Sequence, residues 1–474
     1  MSSASPLAGM RALFDAQRHA FAAQMNPPHS VCDERLARLL AMTQKHQEAV
    51  AAAISADFGH RCRQETALAE IFVTVAGIHH ARRHLKQWMR TRRVPTPLHF
   101  LPAWSRIMRQ PLGVVGIVSP WNYPFQLAIA PAVGALAAGN RVLIKPSELT
   151  PRLADLLQAM VGDFFAPNEM AVVTGDAEIG KAFVALPFDH LFFTGSTAVG
   201  RQVAVAAAAN LTPVTLELGG KSPAILDASC DLADVAIKLA VGKLLNAGQT
   251  CIAPDYVLLG VGREQAFLAA LRTAVARLYP TLAQNTDYSS IVSERHLTRL
   301  THLLDDARSK GATVIAINPG DEKFPASDRK MPLHVVLNAT DDMAVMQEEI
   351  FGPILPLLGV ADAAAAIAYV NRHPRPLALY WFGSDTAARD RVLEQTIAGG
   401  VTINDTLWHI AQEELPFGGV GASGYGAYHG ETGFLLFCKQ KPVFFQARLN
   451  GVGLLYPPYG GRFARMLGLL KRIT

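Results

Sequence analysis

Between Gly113 and Leu218, short apolar runs alternate with helix-length stretches, and that rhythm restricts the possible folds more than any other feature. Gly113–Val118, Arg141–Lys145, Met170–Val173, His190–Thr194 and Val214–Leu218 read as strands. Phe125–Ala138, the stretch opened by Thr150-Pro151, Ile179–Leu186 and Ala198–Asn210 read as helices, with Thr150 as N-cap and proline at the first helical position. Strands separated by helices imply right-handed crossovers and a parallel sheet covered on both faces. Ligands of such sheets bind at the carboxyl ends of the strands.

A second alternating block runs from Ala224 to about Val401, with strand-like Tyr256–Val261, Thr313–Ile317 and Val335–Leu337. It predicts another α/β unit, divided from the first near Gly219-Gly220. From Asp33 to about Arg93 the apolar residues recur at helical spacing (Leu36, Leu39, Leu40, then Ile71, Val75, Ile78), which predicts a helical lead-in. No internal repeat is visible.

With 474 residues the chain exceeds the roughly 250–300 residues at which single cores stop growing, so two or three domains are expected. A net charge of +5 with scattered basic residues argues against nucleic acid and is compatible with a small anionic ligand. Five widely spaced cysteines (Cys32, Cys62, Cys230, Cys251, Cys438) contain no C-x-x-C pair, which suits reduced thiols in a cytoplasmic protein. Met1 to Asp15 lacks the pattern of a secretory signal. The most apolar window, Phe125–Ala138, is interrupted by Gln126, Pro131 and Gly134 and is shorter than the roughly 20 residues that span a bilayer.

Several motifs can carry chemistry. Cys251 follows Gly248-Gln249-Thr250, a polar and flexible approach unlike core packing; as a nucleophile its sulfur must ionise. Glu217 ends an apolar strand, where a carboxylate needs a partner or a task; it is a candidate general base or a salt-bridge member. Asn122, in Trp121-Asn122-Tyr123-Pro124 after a strand, could donate to an oxyanion or simply end the strand. Gly195-Ser196-Thr197-Ala198-Val199-Gly200 opens a helix after a strand, a place for a pyrophosphate or a plain tight turn. Gly220-Lys221-Ser222 resembles the end of a P-loop, but Thr215 stands where the first glycine is needed, so a kinase or ATPase reading fails.

Lys145 and Glu148, at another strand end, could bond ribose hydroxyls or form a solvated pair. In Glu348-Glu349-Ile350-Phe351-Gly352-Pro353, Glu349 could accept from a second ribose and Phe351 could pack on a nicotinamide; otherwise the run is a charged helix end and a turn. His80 and His84 stand four apart on a helical pattern with no third ligand nearby in the sequence, so they read as surface or packing residues and no metal is expected.

Taken together, Pro120-Trp121-Asn122-Tyr123-Pro124, Lys145-Pro146-Ser147-Glu148, Phe193-Thr194-Gly195-Ser196, Glu217-Leu218-Gly219-Gly220-Lys221, Gly248-Gln249-Thr250-Cys251, Glu349-Ile350-Phe351-Gly352-Pro353 and Pro416-Phe417-Gly418-Gly419 resemble the NAD(P)-dependent aldehyde dehydrogenase superfamily. The stretches 242–256 and 403–407 and the ending Tyr456-Pro457-Pro458-Tyr459 are similar to its class-three branch, above all to coniferyl aldehyde dehydrogenases. The resemblance implies a Rossmann-type parallel-sheet cofactor domain (1–96 and 119–218, with the helical lead-in), a second α/β catalytic domain (219–402), an oligomerisation extension (97–118 and 423–445) that joins homodimers, and a C-terminal tail (446–474). It implies Cys251 as nucleophile, Glu217 as base and Asn122 as oxyanion donor. Trp121, Lys145, Glu148, Gly175, Gly195, Ser196, Val199, Glu349 and Phe351 are implied around the cofactor, which is NAD, with NADP as the alternative.

Tyr123, Thr250, Leu407, Trp408, His409 and Phe417 are the candidate walls of a substrate pocket, and an aromatic slot suits a planar phenylpropenal such as coniferaldehyde. The alternatives are a broad-specificity or fatty aldehyde dehydrogenase, a CoA-acylating enzyme, against which Glu217 argues, and a non-catalytic scaffold. The tail from Tyr456 to Thr474 spaces as a short basic amphipathic helix, for which packing on a partner subunit is expected over lipid contact, with no stable membrane anchor.

Overall fold

The computed structural model describes residues 6–325 and 329–473, so residues 1–5 of the leader reading lie outside the described residues. Strands β1 (Arg92–Val94) and β2 (Trp104–Pro111) pair antiparallel, outside the two large sheets. The chain then builds β3 (Val114–Val118), β4 (Arg141–Lys145), β5 (Met170–Val172), β6 (His190–Thr194) and β7 (Val214–Glu217). These five run parallel in the order β7-β6-β3-β4-β5, with the crossover helices Gln126–Ala137, Pro151–Phe164, Ala177–Val184 and Thr197–Ala208 between them.

After Gly219-Gly220 the chain enters a second sheet: β8 (Pro223–Leu226), β9 (Tyr256–Gly260), β10 (Thr313–Ile317), β11 (Leu333–Leu337), β12 (Ile354–Val360), β13 (Ala378–Phe382) and β14 (Gly400–Ile403). Their order is β10-β11-β12-β9-β8-β13-β14, parallel except for β10 on β11. Last come β15 (Gly424–Tyr425), antiparallel on β7, and β16 (Cys438–Phe445), which pairs along the length of β2 and completes a three-stranded sheet.

Three boundaries differ from the sequence expectation. Val114–Val118 had been grouped with the extension of 97–118, yet β3 is a central strand of the six-stranded sheet. Its alternate side chains enter two cores: Val115 and Ile117 join the large core shared with the lead-in helices, and Val114 joins a smaller one with Phe14, Phe183 and Phe188. Burial on both faces marks a central strand, but periodicity does not say of which sheet. Likewise Gly424–Tyr425 belongs to the edge of β7 rather than to the extension, and Arg92–Val94 leaves the lead-in for the small sheet.

The lead-in is helical as expected, over His29–Phe58, Arg63–Thr66 and Val73–Trp88, with a wide π-type turn at Ala67–Phe72. Thr150 precedes the helix Pro151–Phe164 but its side chain does not cap it. Asp57, at the end of His29–Phe58, accepts from the backbone N–H groups of Arg152 (3.1 Å) and Leu153 (3.0 Å) instead. The tail forms the helix Gly461–Ile473, with Phe463 ring-to-ring with Tyr459 at 4.9 Å. Among the described residues no helix is long and apolar enough to cross a membrane.

Candidate active site

The carboxyl ends of β3, β6 and β7 open into a cleft with a cavity volume of about 730 Å³, within the range of small-molecule sites. Asn122, Glu217 and Cys251 stand on its wall together. Each is held by a different local device.

Cys251 follows a turn with unusual backbone: Asn246 (φ 51°), Ala247 (φ 52°) and Gly248 (φ 77°) are consecutively left-handed. Two non-glycine residues in that region are strained, and the surrounding bonds hold them there. Asn246 Nδ2 donates to the carbonyls of Asn122 (3.0 Å) and Gln249 (3.1 Å). Gln249 Nε2 donates to the carbonyls of Asn246 (2.9 Å) and Ser290 (3.0 Å), and its Oε1 accepts from Val292 N–H (2.9 Å). A Cβ on Gly248 would stand 2.5 Å from the carbonyl of Gly352, so only glycine allows the two turns to meet. The approach to Cys251 is therefore buried and rigid, not flexible as its composition suggested; its polar groups bond to one another.

Asn122 Nδ2 donates to the Gln249 carbonyl at 3.2 Å, which aims the carboxamide at the cysteine turn and leaves its second N–H. The Asn122 carbonyl accepts from Arg61 Nη1 at 2.6 Å. Arg61 is buried between the rings of Tyr123 and Phe58 and pairs with Glu70 Oε1 at 3.4 Å. Glu70, in the π-type turn, accepts from the N–H groups of Phe125 (2.8 Å) and Gln126 (2.9 Å) at the start of helix Gln126–Ala137. Arg61, Glu70, Asn246 and Gln249 thus carry the geometry; Arg61 and Glu70 were not singled out from the sequence, and Asn246 and Gln249 entered only as members of motifs, with no role given. The lead-in carries many other charged residues, Asp33, Arg35, Arg38, Glu48 and Asp57 among them, so nothing local marked Arg61 and Glu70 as buried partners.

Glu217 ends β7, and both its carboxylate oxygens are buried without a hydrogen-bond partner among the described residues. Burial therefore holds this carboxyl well above the usual carboxylate range. Glu349 is pushed up to about 8 by burial and by the Asp255 charge. The Cys251 thiol is raised too, by burial first and then by Glu349 and Glu217, against the backbone N–H groups of Cys251 and Ile252, which lower it. Three acids share one weakly solvated space, so each opposes ionisation of the others. Burial and the two carboxyls therefore oppose ionisation of the thiol that the sequence marks as nucleophile.

The aldehyde dehydrogenase family model matches residues 6–443. The chain belongs to that family. It is 49% identical over 458 residues to a protein of Pseudomonas aeruginosa named "Probable coniferyl aldehyde dehydrogenase", covering 97% of this chain and 95% of that one. It is 47% identical over 442 residues to the "Coniferyl aldehyde dehydrogenase" of Pseudomonas sp. strain HR199, covering 92% and 91%. A solved structure described as "Substrate bound state of Staphylococcus Aureus AldH" superposes with a TM-score of 0.92 at 39% identity, covering 97% of this chain and 99% of that one.

In this aldehyde dehydrogenase the cleft suits a dinucleotide on its own features. A Cβ on Gly219 would lie 1.9 Å from Glu349 Oε2, so the backbone passes close under that carboxylate. Glu349 Oε1 and Thr194 Oγ1 are buried beside the cleft without partners among the described residues. Trp121, Gly195, Ser196, Glu349 and Phe351 line it, with the Trp121 ring edge-on to Phe351 at 5.4 Å. Lys145, Glu148, Gly175 and Val199 lie beyond that wall. Lys145 Nζ donates to the Pro146 carbonyl at 2.8 Å and stands 4.0 Å from the exposed Glu148 carboxylate; Val199 is exposed on helix Thr197–Ala208. Lys221 is absorbed structurally, pairing with Asp255 and donating to the carbonyls of Val345 (2.8 Å) and Glu348 (3.1 Å).

The substrate set divides. Tyr123 OH and Thr250 Oγ1 bond each other at 2.7 Å beside the cysteine turn. Leu407, Trp408, His409 and Phe417 line neither the cleft nor the second cavity of the enzyme. Trp408 is 56% exposed, while His409 bonds Thr402 Oγ1 (2.8 Å) and stacks on Phe417 (5.9 Å). That second cavity, of about 60 Å³, is lined by Phe72, Gln126, Ile410, Ala411 and Tyr428 among others. The turn Trp408–Ala411 presents its last two residues there; sequence spacing does not give the direction in which a single 3₁₀ turn points. His80 and His84, read as lacking a third ligand, are met by Glu414.

Proposed function

We propose that this aldehyde dehydrogenase oxidises coniferaldehyde, or an aromatic aldehyde of that shape, to the carboxylic acid, with NAD⁺ preferred and NADP⁺ as an alternative acceptor. The observation that carries the catalytic assignment is a cysteine, an asparagine amide and an unpartnered carboxyl on the wall of one cleft. Cys251 gives its proton to a water of the open cleft and its sulfur adds to the aldehyde carbon. The alkoxide accepts from the free N–H of the Asn122 amide and from the Cys251 backbone N–H, donors that contribute about 2.7–4 kcal/mol each. When bound, NAD(P)⁺ supplies the hydride acceptor. Loss of hydride leaves a thioester on Cys251; Glu217 takes a proton from water, which adds to the thioester carbonyl and releases the acid.

Trp121, Gly195, Ser196, Glu349 and Phe351 would hold the cofactor along the cleft, and Lys145, Glu148, Gly175 and Val199 its adenosine end. The Glu148 carboxylate would oppose a 2′-phosphate, which favours NAD over NADP. The names of the Pseudomonas relatives support the substrate class. We also assign a homodimer joined through the β1-β2-β16 sheet, where β16 leaves an open edge, and a reducing cytoplasmic setting, in keeping with five unpaired cysteines. Initial rates of NADH formation with coniferaldehyde, benzaldehyde and medium-chain alkanals test the reading. The expected kcat/KM is at least about tenfold higher for coniferaldehyde than for the alkanals. Equal values withdraw the substrate assignment, and product that forms only with added CoA withdraws hydrolysis by Glu217.

A further inference from the structure

On helix Val73–Trp88, His80 and His84 lie one turn apart with ring centroids 4.3 Å from each other. A distant segment, just after the turn Trp408–Ala411, brings Glu414 against them, its Oε1 3.4 Å from His80 Nε2. One ligand atom from each of the three residues lies within 4.8 Å of the others. Two features favour a ligand over packing. His84 Nδ1 stands 3.0 Å from the His80 carbonyl, which makes it the donor nitrogen and leaves Nε2 as the lone-pair nitrogen, the arrangement by which a backbone carbonyl orients a metal-binding imidazole. His80 Nε2 is buried without a hydrogen-bond partner among the described residues, and the Glu414 carboxylate faces it at 3.4 Å.

We propose that His80, His84 and Glu414 form a binding site for a divalent transition ion of the zinc, nickel or cobalt type, separate from the cleft of Cys251. Two imidazoles and one carboxylate suit borderline metals far better than magnesium or calcium, and three protein ligands leave a position for water. Burial lowers the His80 pKa, and His84 adds to that shift. Arg83 also opposes a positive charge on His80, while Glu414 favours one. A bound ion would tie helix Val73–Trp88 to the segment 411–416. That segment borders the second cavity, whose lining includes Ala411 and Glu413 as well as Gly77 of the helix. The ion would therefore fix the mouth of that cavity without touching the reacting sulfur.

The test is titration of the full chain carrying Cys251→Ser with Co²⁺ alone, followed by its visible absorption and by the thermal midpoint. One equivalent is expected, with ligand-field bands of nitrogen and oxygen donors, no thiolate charge-transfer band, and a raised midpoint. His84→Gln should weaken binding by at least the roughly 100-fold that even an outer-shell partner can contribute. Glu414→Gln alters an exposed side chain, so it leaves folding intact; it should weaken binding and abolish the rise in the midpoint. No binding, binding unchanged in both variants, or a sulfur-to-cobalt band that places the ion on the remaining cysteines would each overturn the site. None of these readouts depends on dehydrogenase turnover, so they stand apart from the substrate assignment.

Discussion

Glu70 and Glu217 are both fully buried carboxyl side chains on the frame of one active site, yet they are opposite in kind. Glu70 is surrounded by donors: the Arg61 guanidinium and the backbone N–H groups of Phe125 and Gln126. Glu217 has none among the described residues. A buried acid with two backbone N–H donors on one oxygen and a guanidinium 3.4 Å from the other serves the fold, because removing it leaves a cation and two N–H groups unpaired. A buried acid left without partners gives the fold nothing, which is why we assign Glu217 to a reacting water. The contrast separates scaffold from chemistry without reference to distance from Cys251.

The sharpest break of that contrast is Glu217→Gln. Loss of a general base should slow thioester hydrolysis by about 10²–10⁴-fold, seen as a burst of NADH followed by a slow steady state. Its folding should be spared or improved. The fold raises the carboxyl above its unfolded value, so the folded state loses stability as pH rises through the folded value, and glutamine removes that loss. A steady state as fast as the parent enzyme would end the base assignment.

Glu70→Gln should behave in the reverse way. Uncoupling a buried pair costs about 3–5 kcal/mol, read as a lower urea midpoint, with any turnover loss following the displaced Asn122 rather than a changed pH profile. Unchanged stability would mean that the pair with Arg61 contributes nothing to the fold.

A smaller effect concerns protonation. With Cys251 raised by burial and by Glu349 and Glu217, alkylation of the free enzyme by iodoacetamide should still be accelerating with pH where an ordinary exposed thiol has levelled off. A plateau reached in mild acid would show the sulfur already ionised. Smallest of all, Trp408→Ala should shift stability by no more than about 0.5 kcal/mol, as expected at an exposed site, and leave kcat/KM for coniferaldehyde nearly unchanged. A large KM change in the Trp408 variant would return that ring to the substrate path.

Much of this was legible in order along the chain. The alternation from Gly113 to Leu218 and the strands Tyr256–Val261 and Thr313–Ile317 were readable because a buried parallel strand is a local apolar run with turn residues at its ends. Cys251, Glu217 and Asn122 were readable because unusual residue types stood at strand ends and turns. Arg61 and Glu70 were not, because they act on Asn122 and Phe125 more than 50 residues away, and no local pattern encodes such a partner. The helix Pro151–Phe164 makes the same point in miniature: Thr150 had the right type for a cap, and Asp57 from another helix fills the role.

By itself, the sequence determined the fold class and the family and nominated Cys251, Glu217 and Asn122 as the reacting side chains, since periodicity and turn chemistry are properties of neighbours along the chain. Only the tertiary structure decided which sheet claims Val114–Val118, which buried carboxyl stays unpartnered, how far the Cys251 proton is held, and that Glu414 faces two histidines. Those depend on what surrounds a group once water has been excluded, and the free energy of a charge or a hydrogen bond is set by that surrounding.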